Sequence, residues 1–174
     1  MVDDGFAEVM KSNTGCAVIM AGSDSDVLHI DKIVESLRAY EIPYEVRICS
    51  AHKQPDTLLD IIKEYNSVGG SVAYVAVAGG TDALSGTLSF HALGPVISCP
   101  PDSASPSSPN ISCLTNPPGS SNCYIARPEN VGKFIAQVYA GVSPGLRLML
   151  AKSNEAKVKK LEEKDAGFRA KYHG

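Results

Sequence analysis

Val72-Ala73-Tyr74-Val75-Ala76-Val77-Ala78, followed at once by Gly79-Gly80, decides how this chain folds. The run is almost continuously small or branched apolar, too short for an ordinary helix, and closed by glycines. A strand of that composition is covered on both faces, as in the middle of a parallel sheet. Four further strand-like runs occupy 16–20, 44–49, 95–99 and 123–126, separated by longer amphipathic stretches. Short apolar runs alternating with amphipathic ones signal βαβ units, which predicts an α/β fold with a central parallel sheet and 72–78 at its centre.

The helices announce themselves by period and by their starts. Ile30, Ile33, Val34 and Leu37 recur at helical spacing, as do Val131, Phe134, Ile135, Val138 and Tyr139. Asp24, Ser25 and Asp26 are capping residues before the first, Asp56 and Thr57 follow Pro55 at the second, and Pro128 opens the last. Residues 100–119 break both patterns with six prolines among serines and asparagines, so they are expected to form a long loop serving as a lid or a subunit contact. Residues 142–174 should be a helical extension whose apolar start, Leu146, Leu148, Met149 and Leu150, needs covering, a neighbouring subunit being one candidate. Residues 1–14 are expected to be a loosely held leader without the basic and apolar pattern of a secretion signal.

Composition narrows the function. The chain has 174 residues and a formal charge of -3, and a net acidic chain is poorly suited to gripping nucleic-acid backbones. No apolar run reaches the roughly 18 residues that cross a bilayer. Of the five cysteines, Cys16, Cys49, Cys99 and Cys123 lie in or beside apolar runs and not at metal-knuckle spacing, while Cys113 lies in the loop. They are expected to be buried free thiols in a reducing cytoplasm. Nothing nearby in sequence would lower the pKa of Cys99, which argues against a nucleophile there. His29, His91 and His173 have no partner at ligand spacing, so no metal site is expected.

Ligands of doubly wound folds sit at the carboxyl ends of strands, and three clusters stand there. After the first strand come Gly22, Ser23, Asp24, Ser25 and Asp26, a glycine turn with hydroxyls at a helix start, suited to a phosphate, with the aspartates suited to sugar hydroxyls. After the second come Ser50, Ala51, His52 and Lys53, which set a group titrating near neutrality beside a fixed cation, as proton transfer near an anionic substrate requires. After the third come Ala78, Gly79, Gly80, Thr81, Asp82, Ala83, Leu84, Ser85 and Gly86, whose glycines permit close backbone approach to a planar ligand or simply a tight turn. Taken alone, Ser23 to Asp26 could be only a helix cap, and His52 only a loop residue.

Together, Gly22-Ser23-Asp24-Ser25-Asp26, Ser50-Ala51-His52-Lys53 and Ala78-Gly79-Gly80 resemble the phosphoribosylaminoimidazole carboxylase family, PurE, in order, spacing and placement. The resemblance covers about residues 15 to 141, with Tyr44-Glu45-Val46-Arg47, Pro95-Val96-Ile97 and Pro118-Gly119 included, and marks that span as the catalytic domain. It implies a flavodoxin-like three-layer αβα sandwich, a homo-oligomer (tetramer or octamer), and a small-molecule substrate: 5-aminoimidazole ribonucleotide (AIR) and carbon dioxide, interconverted with the 4-carboxylated nucleotide (CAIR), without metal, biotin, ATP or other cofactor. It further implies that Asp26 binds ribose hydroxyls, Ser25 and Lys53 the phosphate, Ser23 the reacting end, and that His52 carries the proton at the imidazole carbon. Gly22, Asp24, Ser50, Ala51, Ala78, Gly79, Gly80 and Leu84 complete the expected substrate site.

Within the resemblance, Lys53 in place of arginine, Ala83 in place of a second histidine and Cys99-Pro100-Pro101 match the carboxylase class rather than the mutase class, which acts on the N-carboxylated nucleotide. Asp82 has no settled role in it. Two other readings are weaker. A receiver domain lacks its phosphate-accepting aspartate here, since the third strand ends in Ala78-Gly79-Gly80. A flavin carrier lacks a Thr/Ser-rich phosphate loop and a tryptophan to stack on the ring.

Overall fold

The computed structural model describes residues 2–101 and 110–172. Five parallel strands, β1 Cys16–Ala21, β2 Tyr44–Ile48, β3 Val72–Val77, β4 Val96–Ser98 and β5 Cys123–Tyr124, form one sheet in the order β2-β1-β3-β4-β5. β3 is central as its composition predicts: it pairs with β1 from Cys16↔Val72 to Ala21↔Val77, and with β4 from Tyr74↔Val96 to Ala76↔Ser98. Every residue of β1 and β3 is buried, because helices cover both faces.

Side chains alternate along each strand and therefore feed two cores. Ala17, Ile19, Ala21, Ala73, Val75, Val77 and Ile97 face α2 (Val27–Arg38) and α5 (Val131–Tyr139). Val18, Met20, Tyr74, Ala76 and Val96 face α3 (Pro55–Val68) and α4 (Ala83–His91). The result is a flavodoxin-like three-layer sandwich. α2 and α5 approach closely at Gly132, where a Cβ would lie 1.9 Å from the Ser36 carbonyl oxygen and where the Gly132 amide donates to Ser36 Oγ at 2.9 Å.

Three expectations are corrected. The first residues are not loosely held: α1 (Asp4–Lys11) is capped by Asp3, whose carboxylate accepts from the Phe6 amide at 3.1 Å, and buries Phe6 and Met10 in the core shared with α3. Phe6 and Met10 are an i, i+4 pair, enough to anchor two turns although their neighbours are polar. Gly86, read as a turn or ligand-facing glycine, lies inside α4, where Leu84 and Leu88 supply the buried face. Most of the apolar start of the tail is covered by its own domain. In α6 (Pro144–Lys171), Leu146 is buried in the α2–α5 core, Met149 and Leu150 pack on it, and Ser153 and Asn154 bond to Tyr40 and Lys133. Leu148 alone of the four stays exposed.

Of the expected loop at 100–119, residues 102–109 lie outside the described residues, so its role as lid or subunit contact is not addressed by them. The remainder is more ordered than its composition suggests, with a 3-10 turn at Ser112–Thr115 and buried Asn110 and Cys113. Among the described residues no helix is long and apolar enough to cross a membrane.

Candidate active site

With β1 beside β3 in the sheet and their following helices leaving to opposite faces, the strand order reverses at the β1/β3 boundary. The carboxyl ends diverge there and open the crevice where such folds hold ligands. The crevice contains a cavity of about 150 Å³ lined by Gly22, Ser23 and Asp26 after β1, Ser50, Ala51 and His52 after β2, and Ala78, Gly79, Thr81, Ala83 and Leu84 after β3. That volume suits one small planar ring.

The first turn is fastened at both ends. The Gly22 amide donates to the Val77 carbonyl at 2.9 Å, tying it to β3. Ser23, in extended conformation, caps a 3-10 turn (Asp24–Asp26) by accepting from the Ser25 amide at 3.2 Å, and its Oγ lies 2.8 Å from Ser25 Oγ. Capping and cavity lining thus coexist in Ser23. One turn rotates alternate residues apart, so Asp26 reaches the cavity while Asp24 and Ser25 are exposed and do not line it.

The second turn begins where the Cys49 amide donates to the Ala21 carbonyl at 2.8 Å, the last rung of the β1–β2 ladder. Ser50 then closes it: its carbonyl accepts from the Gln54 amide at 2.8 Å, its amide donates to Gln54 Oε1 at 3.3 Å, and its Oγ accepts from the Lys53 amide at 3.3 Å. His52 lines the cavity yet stays exposed to solvent. Lys53 is exposed and is not among the lining residues. Gln54, which the sequence reading passed over, sits just before Pro55, where a side-chain amide holding its own turn could have been suspected.

In the third turn Gly80 adopts φ +64, the left-handed region that favours glycine, and does not itself line the cavity. Asp82 points inward and caps α4: Oδ1 accepts from the Ser85 amide at 2.8 Å and Oδ2 from Ser98 Oγ at 2.7 Å. Its role is structural, which answers the question its sequence position raised. Leu84 is buried and forms part of the wall, as does Thr81, which belongs to the third strand-end cluster but not to the expected substrate site.

Cys99 does not have the setting of a nucleophile. His29 Nε2 lies 3.0 Å from the Cys99 carbonyl oxygen and 3.4 Å from its sulfur. A carbonyl only accepts, so Nε2 carries the proton and offers no lone pair to the thiol. Burial pushes the Cys99 thiol up to about 12. Burial also lowers the His29 pKa, against the bond to the Cys99 backbone, which raises it. Among the described residues no cluster of three or more His, Cys, Asp or Glu side chains could hold a metal ion.

Fold and site together define a doubly wound α/β protein with a small-molecule cavity at the switch point of its sheet. Residues 16–160 match the AIR carboxylase family. The phosphoribosylaminoimidazole carboxylase of Treponema denticola is 31% identical over 150 residues, 86% of this chain and 94% of that protein. The crystal structure of Treponema denticola PurE superposes with a TM-score of 0.82 at 29% identity, covering 88% of this chain and 98% of that one. The bifunctional phosphoribosylaminoimidazole carboxylase/phosphoribosylaminoimidazole succinocarboxamide synthetase of Rattus norvegicus is 39% identical over 140 residues, 79% of this chain but 33% of that protein, so the chain spans about a third of its length. The chain belongs to the AIR carboxylase family.

Proposed function

We propose that the protein catalyses the reversible carboxylation of AIR with carbon dioxide to CAIR, a step of de novo purine biosynthesis. The observation that carries this reading is the convergence of three strand-end turns, bearing Ser23 and Asp26, Ser50 and His52, and Ala78 and Gly79, on one ring-sized cavity. The ring carbon of AIR is made nucleophilic by its amino substituent. Its electron pair attacks carbon dioxide, a carbon–carbon bond forms, and one carbonyl electron pair of carbon dioxide moves onto oxygen as carboxylate. His52 takes the ring proton, restoring aromaticity, and passes it to water; in reverse it returns that proton. General acid–base help of this kind contributes about 100- to 10,000-fold, and orientation of the two reactants supplies much of the rest.

Asp26 is assigned to the ribose hydroxyls and Ser23 to the reacting end. Ser25 and Lys53, exposed outside the cavity, are assigned to the phosphate, whose charge favours the wet end of the site. Gly79 and Gly80 provide backbone around carbon dioxide. The mutase reading is disfavoured because position 83, which lines the cavity, carries only the methyl group of Ala83. Exposed Leu28, Ile48 and Leu114 support a homo-oligomer, a tetramer or octamer, as does the family resemblance; a monomer by light scattering would overturn that part.

The deciding assay follows turnover spectrophotometrically with each substrate supplied separately. Turnover of AIR plus bicarbonate supports the proposal. Rapid conversion of the N-carboxylated nucleotide under carbon-dioxide depletion, with none from AIR plus bicarbonate, means mutase.

A further inference from the structure

The turn after β3 lines the cavity through Ala78, Gly79 and Thr81, yet what shapes it comes from a distant part of the chain. Asn110, buried, sends Nδ2 to the Gly80 carbonyl at 2.6 Å and towards the Ala78 carbonyl at 3.5 Å. Its Oδ1 accepts from the Ser112 amide at 3.2 Å and from Ser112 Oγ at 2.9 Å. The amide orientation follows from these partners, since carbonyls only accept and an amide N–H only donates. Ser112 Oγ in turn accepts from the Asp82 amide at 2.8 Å, so one small network grips the turn at Ala78, Gly80 and Asp82. The neighbouring carbonyls are engaged too: Val77 accepts from the Gly22 amide at 2.9 Å and Thr81 from the Ala83 amide at 3.0 Å.

The carbonyls of residues 77, 78, 80 and 81 accept from protein donors, that of Gly80 also lying 3.4 Å from Ser112 Oγ, and the Asp82 and Ala83 amides donate within the protein, so the N–H groups of Gly79 and Gly80 are the donors this turn can offer a ligand. A run of backbone amides around a left-handed glycine makes a concavity that favours negative charge. Carboxylation develops negative charge on the oxygens of the incoming group, and donors aimed in advance at that charge stabilise the transition state more than the ground state.

We propose that Asn110 is a positioning residue for the reaction: by holding the Ala78 and Gly80 carbonyls, it fixes the turn with its N–H groups available to the carboxylate that forms. This rests on the carboxylase reading of the site. Asn110 does not touch the reacting atoms and acts through the turn, so its loss should slow turnover without loosening the nucleotide, which other turns hold.

The test compares the unmodified enzyme with Asn110→Ala and Asn110→Asp, measuring steady-state turnover of AIR with bicarbonate and amide hydrogen exchange in the same preparations. The aspartate keeps an acceptor for Ser112 but offers no donor to Ala78 and Gly80 and sets an oxygen against their carbonyls, so both variants should lose the brace, the aspartate at least as completely. Displacing a positioning element by about an ångström costs on the order of 100-fold, and we expect kcat to fall roughly 10- to 100-fold with the nucleotide KM changed less than about threefold. Exchange should quicken at residues 78–82 and stay unchanged in β1 and β2. Unmodified rates in the Asp variant, or faster exchange spread over the whole domain, would overturn the proposal. If the unmodified enzyme is inactive on AIR while exchange at 78–82 still quickens in both variants, the carboxylase reading fails and the brace stands. If it is active and exchange at the turn is unchanged, the brace fails and the carboxylase reading stands.

Discussion

Ser98→Ala tests the buried contact that anchors the start of α4. Ser98 Oγ donates to Asp82 Oδ2 at 2.7 Å, and both side chains are buried. Removing the hydroxyl takes away a hydrogen bond to a charged group, worth ~1.5–3 kcal/mol, and leaves an acceptor that water cannot easily reach. The remaining methyl fills most of the space, so little cavity cost is added, and Asp82 Oδ1 keeps the Ser85 amide. We expect a loss of about 2–3 kcal/mol, which for a chain of this length lowers Tm by roughly 4–12 °C. Urea unfolding at fixed protein concentration should show a lower midpoint with an unchanged slope, the concentration being held because association adds its own stability. The decisive comparison repeats the substitution in an Asp82→Ala background, where there is no carboxylate to orphan and the cost should shrink to below about 0.5 kcal/mol. Equal losses in both backgrounds would refute the assignment of Ser98 as the partner of Asp82.

His52→Asn should lower kcat by about 100- to 10,000-fold while nucleotide affinity stays within about tenfold, because a proton carrier is lost and not an anchor; retained turnover removes His52 from the mechanism. Lys53→Ala should raise the nucleotide KM by roughly tenfold or more with a smaller change in kcat, as loss of a charge-assisted phosphate bond predicts; an unchanged KM means the ammonium points elsewhere. Burial holds the Cys16 and Cys99 thiols at about 12, above the value of about 8.5 for an exposed thiol. Between those values the folded state keeps protons that the unfolded chain releases. Stability from these thiols is therefore complete below about pH 8.5 and is lost as pH rises towards 12. Urea midpoints should fall between pH 8 and pH 10.5, and a rise over that window contradicts the argument.

Much of the fold was legible because its signals are local. The apolar run ending in Gly79-Gly80 needs both faces covered whatever surrounds it, and β3 is indeed central. Pro55 marks a helix start by chemistry that depends on a few neighbouring atoms, whereas of the caps expected at Asp24, Ser25 and Asp26 the helix start at Asp26 makes no side-chain capping bond and Ser23 caps the 3-10 turn before it. The leader was misread for the complementary reason: α1 is held by two side chains, Phe6 and Met10, whose value lies in the α3 surface they meet and not in their own surroundings. The tail was misread likewise at three of its four apolar positions, since Leu146, Met149 and Leu150 look unpartnered until α5 and α2 are seen beneath them, while Leu148 stays exposed.

For the site, the sequence by itself picked out the three segments that meet at the cavity, because glycine turns, hydroxyls and a His-Lys pair at strand ends have few other uses in combination. Only the tertiary structure decided which member of each segment faces the cavity. Asp26 lines it while Asp24 does not, and Asp82 turns inward to Ser98 instead. A side chain's direction within a turn is set by backbone dihedrals and by whatever packs against it. Asn110, about thirty residues beyond the turn it grips, was invisible for the same reason: its significance is a pair of distances to carbonyls, and a distance across the fold exists only once the sheet has been assembled.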